Sequence, residues 1–226
     1  MNLENKIEDI VRDYYGKKLN DNSDLKTTAC CDVSEKSSIY NSFISNINPE
    51  VISKYYGCGL VVPQGIEGLK VLDLGCGSGR DVYLLSQLVG PHGSVIGVDI
   101  TQEQLNTARK YCNYHQEKFG FKNFDFKFGN IENIDKLDLE KQSFDLIVSN
   151  CVINLCNDKY KVLNNIKELL KFGGEFYFSD VYSDRRIPAE LAKNEILYGE
   201  CLSGALYWND FLRMAKSAGF PDPRLV

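Results

Sequence analysis

Residues 71–81 read VLDLGCGSGRD, and no other stretch restricts the possible folds of this chain as tightly. The apolar start, KVLDL, has the look of a buried parallel strand, and RDVYLLSQLV, from Arg80 onward, has the spacing of an amphipathic helix. Between them Gly75, Gly77 and Gly79 let the backbone turn sharply and approach a ligand where a Cβ would intrude. A second strand, SVIGVD, ends in Asp99, twenty residues past Gly79. In a doubly wound sheet that is where a carboxylate grips ribose hydroxyls, at the carboxyl ends of the strands. The pattern implies a nucleoside ligand.

The rest of the chain alternates in the same way. FDFKF, SFDLIVSN and EFYFSDVY read as further strands. Thr101 and Gln104 form a capping-box pattern that opens a helix running to about Lys118, with Leu105, Ala108, Cys112 and His115 on one face. At that spacing Cys112 and His115 are packing residues. A helix over 159–171 is expected to stop at Gly173-Gly174, and two more are expected near 188–199 and 208–218, with Tyr207, Trp208 and Phe211 as packing. The expected fold is α/β: a doubly wound, mostly parallel Rossmann-like sheet with helices on both faces. Before it, residues 3–15 predict a helix with Leu3, Ile7, Ile10, Val11 and Tyr14 on one face, and a second helix is predicted from about Asn48 to Tyr56. The two read as a lid over the ligand end of the sheet. Residues 1–60 are thus expected to form a helical lid segment and 61–226 the core.

Composition excludes several functions. The formal charge is −5, from 26 basic and 31 acidic residues, and no basic tract stands out, which disfavours a nucleic-acid partner. No run approaches the length of a membrane span, and the polar, acidic start MNLENKIEDIVRDYY does not resemble a secretion leader, so a cytoplasmic location is expected. A monomer is expected. With two histidines, His92 and His115, a histidine-built metal site or a Ser-His-Asp triad has almost no material. Eight cysteines are many for a reducing compartment, where metal, metalloid or redox work explains them better than a static disulfide framework.

The glycine spacing narrows the ligand. A dinucleotide loop places its last glycine where this chain has Arg80, and Asp73 inside the strand would repel a pyrophosphate. Asp73 suits instead a ligand with an amino group and a sulfonium. The D-x-G-x-G-x-G form, with an acid ending the next strand, resembles the loop of class I S-adenosylmethionine (SAM) methyltransferases. Cysteine placement then bears on the methyl acceptor. Cys151 follows the fourth strand and should face the site, while Cys58 sits on the lid side and Cys201 ends a helix after the fifth strand. Three convergent sulfurs suit a thiophilic acceptor such as trivalent arsenic. Its lone pair needs positioning but no general base. Cys76, in the glycine loop, reads as a small packing residue; Cys156 spaced five from Cys151 could form a C-x4-C zinc pattern but reads better as filler.

The segments YYGCGLVVP, VLDLGCGSGRD, VSNCVINL, GGEFYFSDVY and GECLSGALYW resemble arsenite SAM methyltransferases, from about Asp24 to the end of the chain. That resemblance implies transfer of the SAM methyl group to trivalent arsenic, in arsenic biotransformation and detoxification. It implies Cys151 and Cys201 as persistent arsenic ligands, Cys58 as the third, and Tyr56 lining the arsenic site. It implies that Cys30, in the context DLKTTAC, exchanges disulfides with Cys58; Cys31 beside it leaves open which thiol acts. Asp73, Gly75, Gly77, Ser78, Gly79 and Asp99 would hold SAM, with Ile131 and Glu132 near the adenine and Asn150 near the transferred methyl. The implied substrate is a small arsenic(III)–thiol complex, the implied reductant glutathione or thioredoxin, and no catalytic metal ion is expected. The family's further C-terminal domain and the last two sheet strands are expected to be absent from this chain. A small-molecule C- or O-methyltransferase and a non-catalytic SAM- or arsenic-binding module remain as alternatives.

Overall fold

The computed structural model describes residues 3–27, 39–191 and 194–225. The apolar runs form β1 (Lys70–Leu74), β2 (Ser94–Asp99), β3 (Phe124–Phe128), β4 (Phe144–Asn150) and β5 (Leu170–Ser179). They pair in the order β3-β2-β1-β4-β5, every pairing parallel. The order reverses between β1 and β4, so both strands bearing the glycine loop and Cys151 open onto one crevice. Successive side chains alternate between two apolar layers. Val71, Val95, Leu146 and Val148 face one, and Leu72, Leu74, Val98 and Ile147 face the other. Each such buried side chain contributes about 1.5–3 kcal/mol.

One layer is closed by α2 (Asn41–Ile44), α3 (Pro49–Ser53), α4 (Arg80–Val89), α5 (Gln102–Lys110) and α6 (Cys112–Phe119). The other is closed by α7 (Lys159–Leu169) and α9 (Trp208–Ser217), with Phe211 buried and Trp208 packed beside it. A short parallel pair, β6 (Tyr182–Ser183) with β7 (Leu206–Tyr207), completes this side, and α8 (Glu195–Gly199) ends at Gly199, whose carbonyl accepts from the Tyr15 hydroxyl (2.7 Å). The first helix, α1 (Leu3–Asp13), runs into a π-helical turn, Tyr14–Lys18.

Several sequence expectations need correction. The helix from Thr101 breaks at Tyr111 into α5 and α6, and the capping box is not made. Asp99 Oδ1 accepts the Thr101 N–H (2.7 Å), and Gln104 donates instead to the Tyr15 carbonyl (2.9 Å). Helix α7 stops at Leu169, earlier than the glycine pair, because Leu170 already pairs with Phe144. Gly173 (φ +80°) and Gly174 instead serve a register shift in β5, where a Cβ on Gly174 would lie 3.1 Å from the Asp145 carbonyl. The helix expected over 188–199 is confined to α8. Residues 221–225 form no strand. Within the expected lid segment, Ile47 and Val51, before and within α3, are buried in the sheet-face core, while Ile7, Val11, Tyr15 and the stretch 54–57 line the ligand cavity. His115 is packing, as expected, fully buried and stacked on Tyr83 at 3.5 Å between ring centroids. No described helix is long and apolar enough to cross a membrane.

Candidate active site

A cavity of about 330 Å³ opens at the carboxyl ends of β1, β2 and β4, beneath Ile7, Val11 and Tyr15 of the lid. That volume lies at the lower end of the range for small-molecule sites. Its floor is the glycine loop. Gly75, Gly77 and Gly79 all have positive φ (79°, 52° and 89°), a region that costs other residues strain. A Cβ on Gly75 would lie 2.2 Å from Val152, and one on Gly79 would lie 2.9 Å from the Phe126 ring, so both glycines permit close packing. Gly77 has open space in front of it.

Asp99 steadies this loop, its carboxylate accepting the Gly77 N–H (2.8 Å) and the Thr101 N–H (2.7 Å) while lining the cavity. Asp73 is 2% exposed, and its buried Oδ2 has no hydrogen-bond partner among the described residues. Burial foremost, then Asp81 and Asp99, push its carboxyl well above the ordinary range. A buried acid with an unmet acceptor is a demand for a cationic donor. SAM, with its ammonium and sulfonium, fits that demand, and Asp99 fits its ribose. Ser78 also lines the cavity, and its hydroxyl donates to the Val51 carbonyl (2.8 Å), which ties the loop to α3. Ile131 lines the cavity; Glu132 does too, with its carboxylate accepting the N–H groups of Asn157 and Asp158 (2.9 and 3.0 Å).

The predicted thiols come together around Cys151, which lines one edge of this cavity. Cys151 and Cys201 are 3% and 0% exposed and pack with Cys58. The Cys201 thiol donates to the Cys151 carbonyl (3.0 Å). Both have positive φ, 55° and 64°, a conformation uncommon for residues other than glycine and one that clusters at functional sites. Three free thiols were expected, whereas Cys58 and Cys151 form a disulfide, with Cα atoms 5.9 Å apart. The expected partner of Cys58 was Cys30; Cys30 and Cys31 lie outside the described residues. Cys58 meets Cys151 because its loop lies directly over Asn150, whose Oδ1 accepts the Cys58 N–H (2.7 Å). Tyr56 is buried against Tyr15 (5.5 Å between centroids) and lines the cavity.

Sequence reasoning missed Asp180. One of its carboxylate oxygens and the sulfurs of Cys151 and Cys201 all lie within 4.8 Å of one another. Burial pushes its carboxyl up to about 6, against N–H donors from Asn154 and Val181. It follows β5 directly, so the strand-end rule that flagged Cys151 could have found it. Cys156 is outside this group and donates to the Val152 carbonyl (3.5 Å); Cys76 is buried packing whose thiol burial pushes well up.

Residues 66–219 match the family described as "Methyltransferase domain". This chain belongs to that family. Among its relatives, an arsenite methyltransferase of Aquipseudomonas alcaligenes is 57% identical over 97% of this methyltransferase chain and 64% of its own length. An arsenite methyltransferase of Rattus norvegicus is 48% identical over 96% of the chain and 59% of its own. The chain therefore spans about 60% of the length of such relatives. Among solved structures, an arsenic(III) S-adenosylmethionine methyltransferase from Chlamydomonas reinhardtii superposes with a TM-score of 0.78 at 50% identity, covering 82% of this chain and 62% of that one.

Proposed function

We propose that this methyltransferase domain transfers the methyl group of SAM to trivalent arsenic held by Cys58, Cys151 and Cys201. The observation that carries the reading is the gathering of three sulfurs, from a loop, a strand end and a helix end, around Cys151, which lines a cavity floored by the glycine loop. The names of its long, similar relatives point the same way. SAM supplies a methyl group made electrophilic by its sulfonium. Asp73 receives the ligand's positive charge, Asp99 the ribose, and Gly77 leaves room for close approach. Asn150 and the lid residues Tyr15 and Tyr56 exclude water from the gap between cavity and sulfurs.

Thiolates match arsenic(III) in softness and leave its lone pair free to attack in line. No proton leaves the nucleophile, so the absence of histidine from the cavity rim is no handicap. Forming the As–C bond uses that lone pair, breaks the sulfonium–methyl bond so that its electron pair leaves with the thioether S-adenosylhomocysteine, and raises arsenic from the trivalent to the pentavalent state. Two protein thiolates joining as a disulfide return the two electrons, and the Cys58–Cys151 pairing is of the kind such a step produces. A thiol reductant, glutathione or a thioredoxin-like dithiol, then resets the pair by exchange.

The test is incubation with arsenite, SAM and glutathione, with chromatographic speciation of the arsenic products. Methylated arsenic is expected from the wild type and from Cys112→Ser, whose thiol accepts from the Tyr83 hydroxyl (3.7 Å) and donates to the Ala108 carbonyl (4.0 Å). None is expected from Cys151→Ser or Cys201→Ser. A full rate in either would remove that sulfur from the site, and tight arsenite binding without product in the wild type would leave a sequestering module.

A further inference from the structure

Next to the glycine loop lies a buried ion pair that the proposed chemistry does not use. Arg80 and Asp81, 8% and 5% exposed, are joined through Arg80 Nε and Nη2 to Asp81 Oδ1 (2.8 and 2.5 Å). Removing a buried pair of this kind from water is costly, and such pairs persist where they specify an arrangement. The second Asp81 oxygen accepts from Asn150 Nδ2 (3.2 Å). The same amide nitrogen donates to the Tyr55 hydroxyl (2.5 Å), whose own proton goes to the Gly59 carbonyl, and it faces that carbonyl as well (3.4 Å). These acceptors settle the orientation of the Asn150 amide: its NH2 meets Asp81, Tyr55 and Gly59, and its oxygen is left for the Cys58 N–H (2.7 Å). Arg80 holds the other side of the same loop. Its guanidinium lies over the Tyr55 ring at 3.3 Å and donates to the Gly59 carbonyl (3.3 Å), which also accepts from the Tyr55 hydroxyl (2.8 Å). Gly57 lets the loop lie this low, since a Cβ there would fall 2.8 Å from the Asn150 side chain.

We propose that Arg80, Asp81 and Tyr55 are positioning residues for Cys58: the pair clamps the 55–59 loop onto Asn150 and thereby holds the Cys58 sulfur at Cys151. Cys201 packs in the cluster of Cys151, Leu155 and Val181, and its thiol donates to the Cys151 carbonyl. The consequence for substrates rests on the arsenic reading above. Inorganic trivalent arsenic has three bonds to give to sulfur, whereas methylarsenite has one taken by carbon and two left. Loosening Cys58 therefore weakens handling of arsenite while Cys151 and Cys201 still hold methylarsenite.

The variants are Arg80→Lys, which keeps charge but loses the planar fork, and Tyr55→Leu, which lies on the loop and remains testable if the first does not fold. Reduced protein is equilibrated in glutathione redox buffers, and the Cys58–Cys151 disulfide is quantified by peptide mass spectrometry. Each variant is expected to lower the effective concentration of that thiol pair by about tenfold, with thermal unfolding still cooperative. Each is also expected to lose about tenfold in arsenite methylation with little change on methylarsenite. A wild-type effective concentration in both variants, or equal losses on the two substrates, overturns the proposal. A wild type that methylates neither substrate defeats the arsenic reading alone, because the thiol equilibrium still reports on the clamp.

Discussion

Replacing Asp99 by Asn separates two jobs that one carboxylate performs. Its oxygens accept the N–H groups of Gly77 (2.8 Å) and Thr101 (2.7 Å), and its remaining lone pairs face the cavity. An amide has one oxygen, so its NH2 must confront one of those two donors. That mismatch costs about 1–3 kcal/mol in the free protein. On the ligand side, the loss is a charged acceptor for a ribose hydroxyl, about 1.5–3 kcal/mol. The expected result is a Kd for SAM weakened by about 10- to 100-fold, together with a lower Tm. Isothermal titration calorimetry reads the first and thermal denaturation the second. A binding cycle isolates the contact: for a SAM analogue lacking the ribose 2′ and 3′ hydroxyls, the penalty should shrink to about twofold. An unchanged Kd with a lowered Tm would refute the argument, leaving Asp99 as a brace for the loop and nothing more. An equal penalty on both ligands would also refute it.

Two further outcomes depend on pH. Asp73 has its carboxyl raised by burial and by the neighbouring Asp81 and Asp99, so the folded free protein binds a proton that the unfolded chain has lost between 3.8 and the raised value. Stability of the free protein therefore falls as pH rises through that window, and a cationic ligand, favouring the ionised form, should expel a proton on binding. Calorimetry in buffers of differing ionisation enthalpy should show this release in the wild type and not in Asp73→Asn; buffer-independent wild-type heats would contradict it. His115 behaves oppositely, because burial lowers its pKa from 6.5 to about 4. The unfolded chain then binds more protons between those values, so the stability present above the upper one is lost as pH falls toward the lower one. Urea unfolding at about pH 7 and about pH 5 should differ by about 1–3 kcal/mol in the wild type, and by less in His115→Leu. An identical slope in both proteins would rule out the ring as the cause.

The parts of the fold that were legible from sequence share one property: each is set by neighbours a few residues apart. The strand runs at Lys70–Leu74, Ser94–Asp99 and Phe144–Asn150 followed from apolar pattern, and the positive-φ glycines from their place between strand and helix. Illegible features arose where a distant group outbid a local one. Thr101 and Gln104 had a cap to form, but Asp99 and Tyr15 took their bonding groups. Gly173 and Gly174 had the look of a helix stop, but pairing of Leu170 with Phe144 ended the helix first.

The candidate site divides along the same line. From the sequence alone came a doubly wound sheet, a cation-seeking acid at Asp73, a ribose-facing acid at Asp99 and thiols at Cys58, Cys151 and Cys201 able to reach one mouth. Tertiary structure alone decided that Cys58 pairs with Cys151 across 93 residues, that a carboxylate oxygen of Asp180 lies within 4.8 Å of the sulfurs of Cys151 and Cys201, and that Arg80 and Asp81 are buried beside the Cys58 loop, with Arg80 donating to Gly59. Residue types and spacing dictate backbone turns and which strand ends open on the crevice. Which side chains touch there depends on how residues 75 apart are brought into register, as in the pairing of Val71 with Leu146, and that is settled only by packing of the whole core.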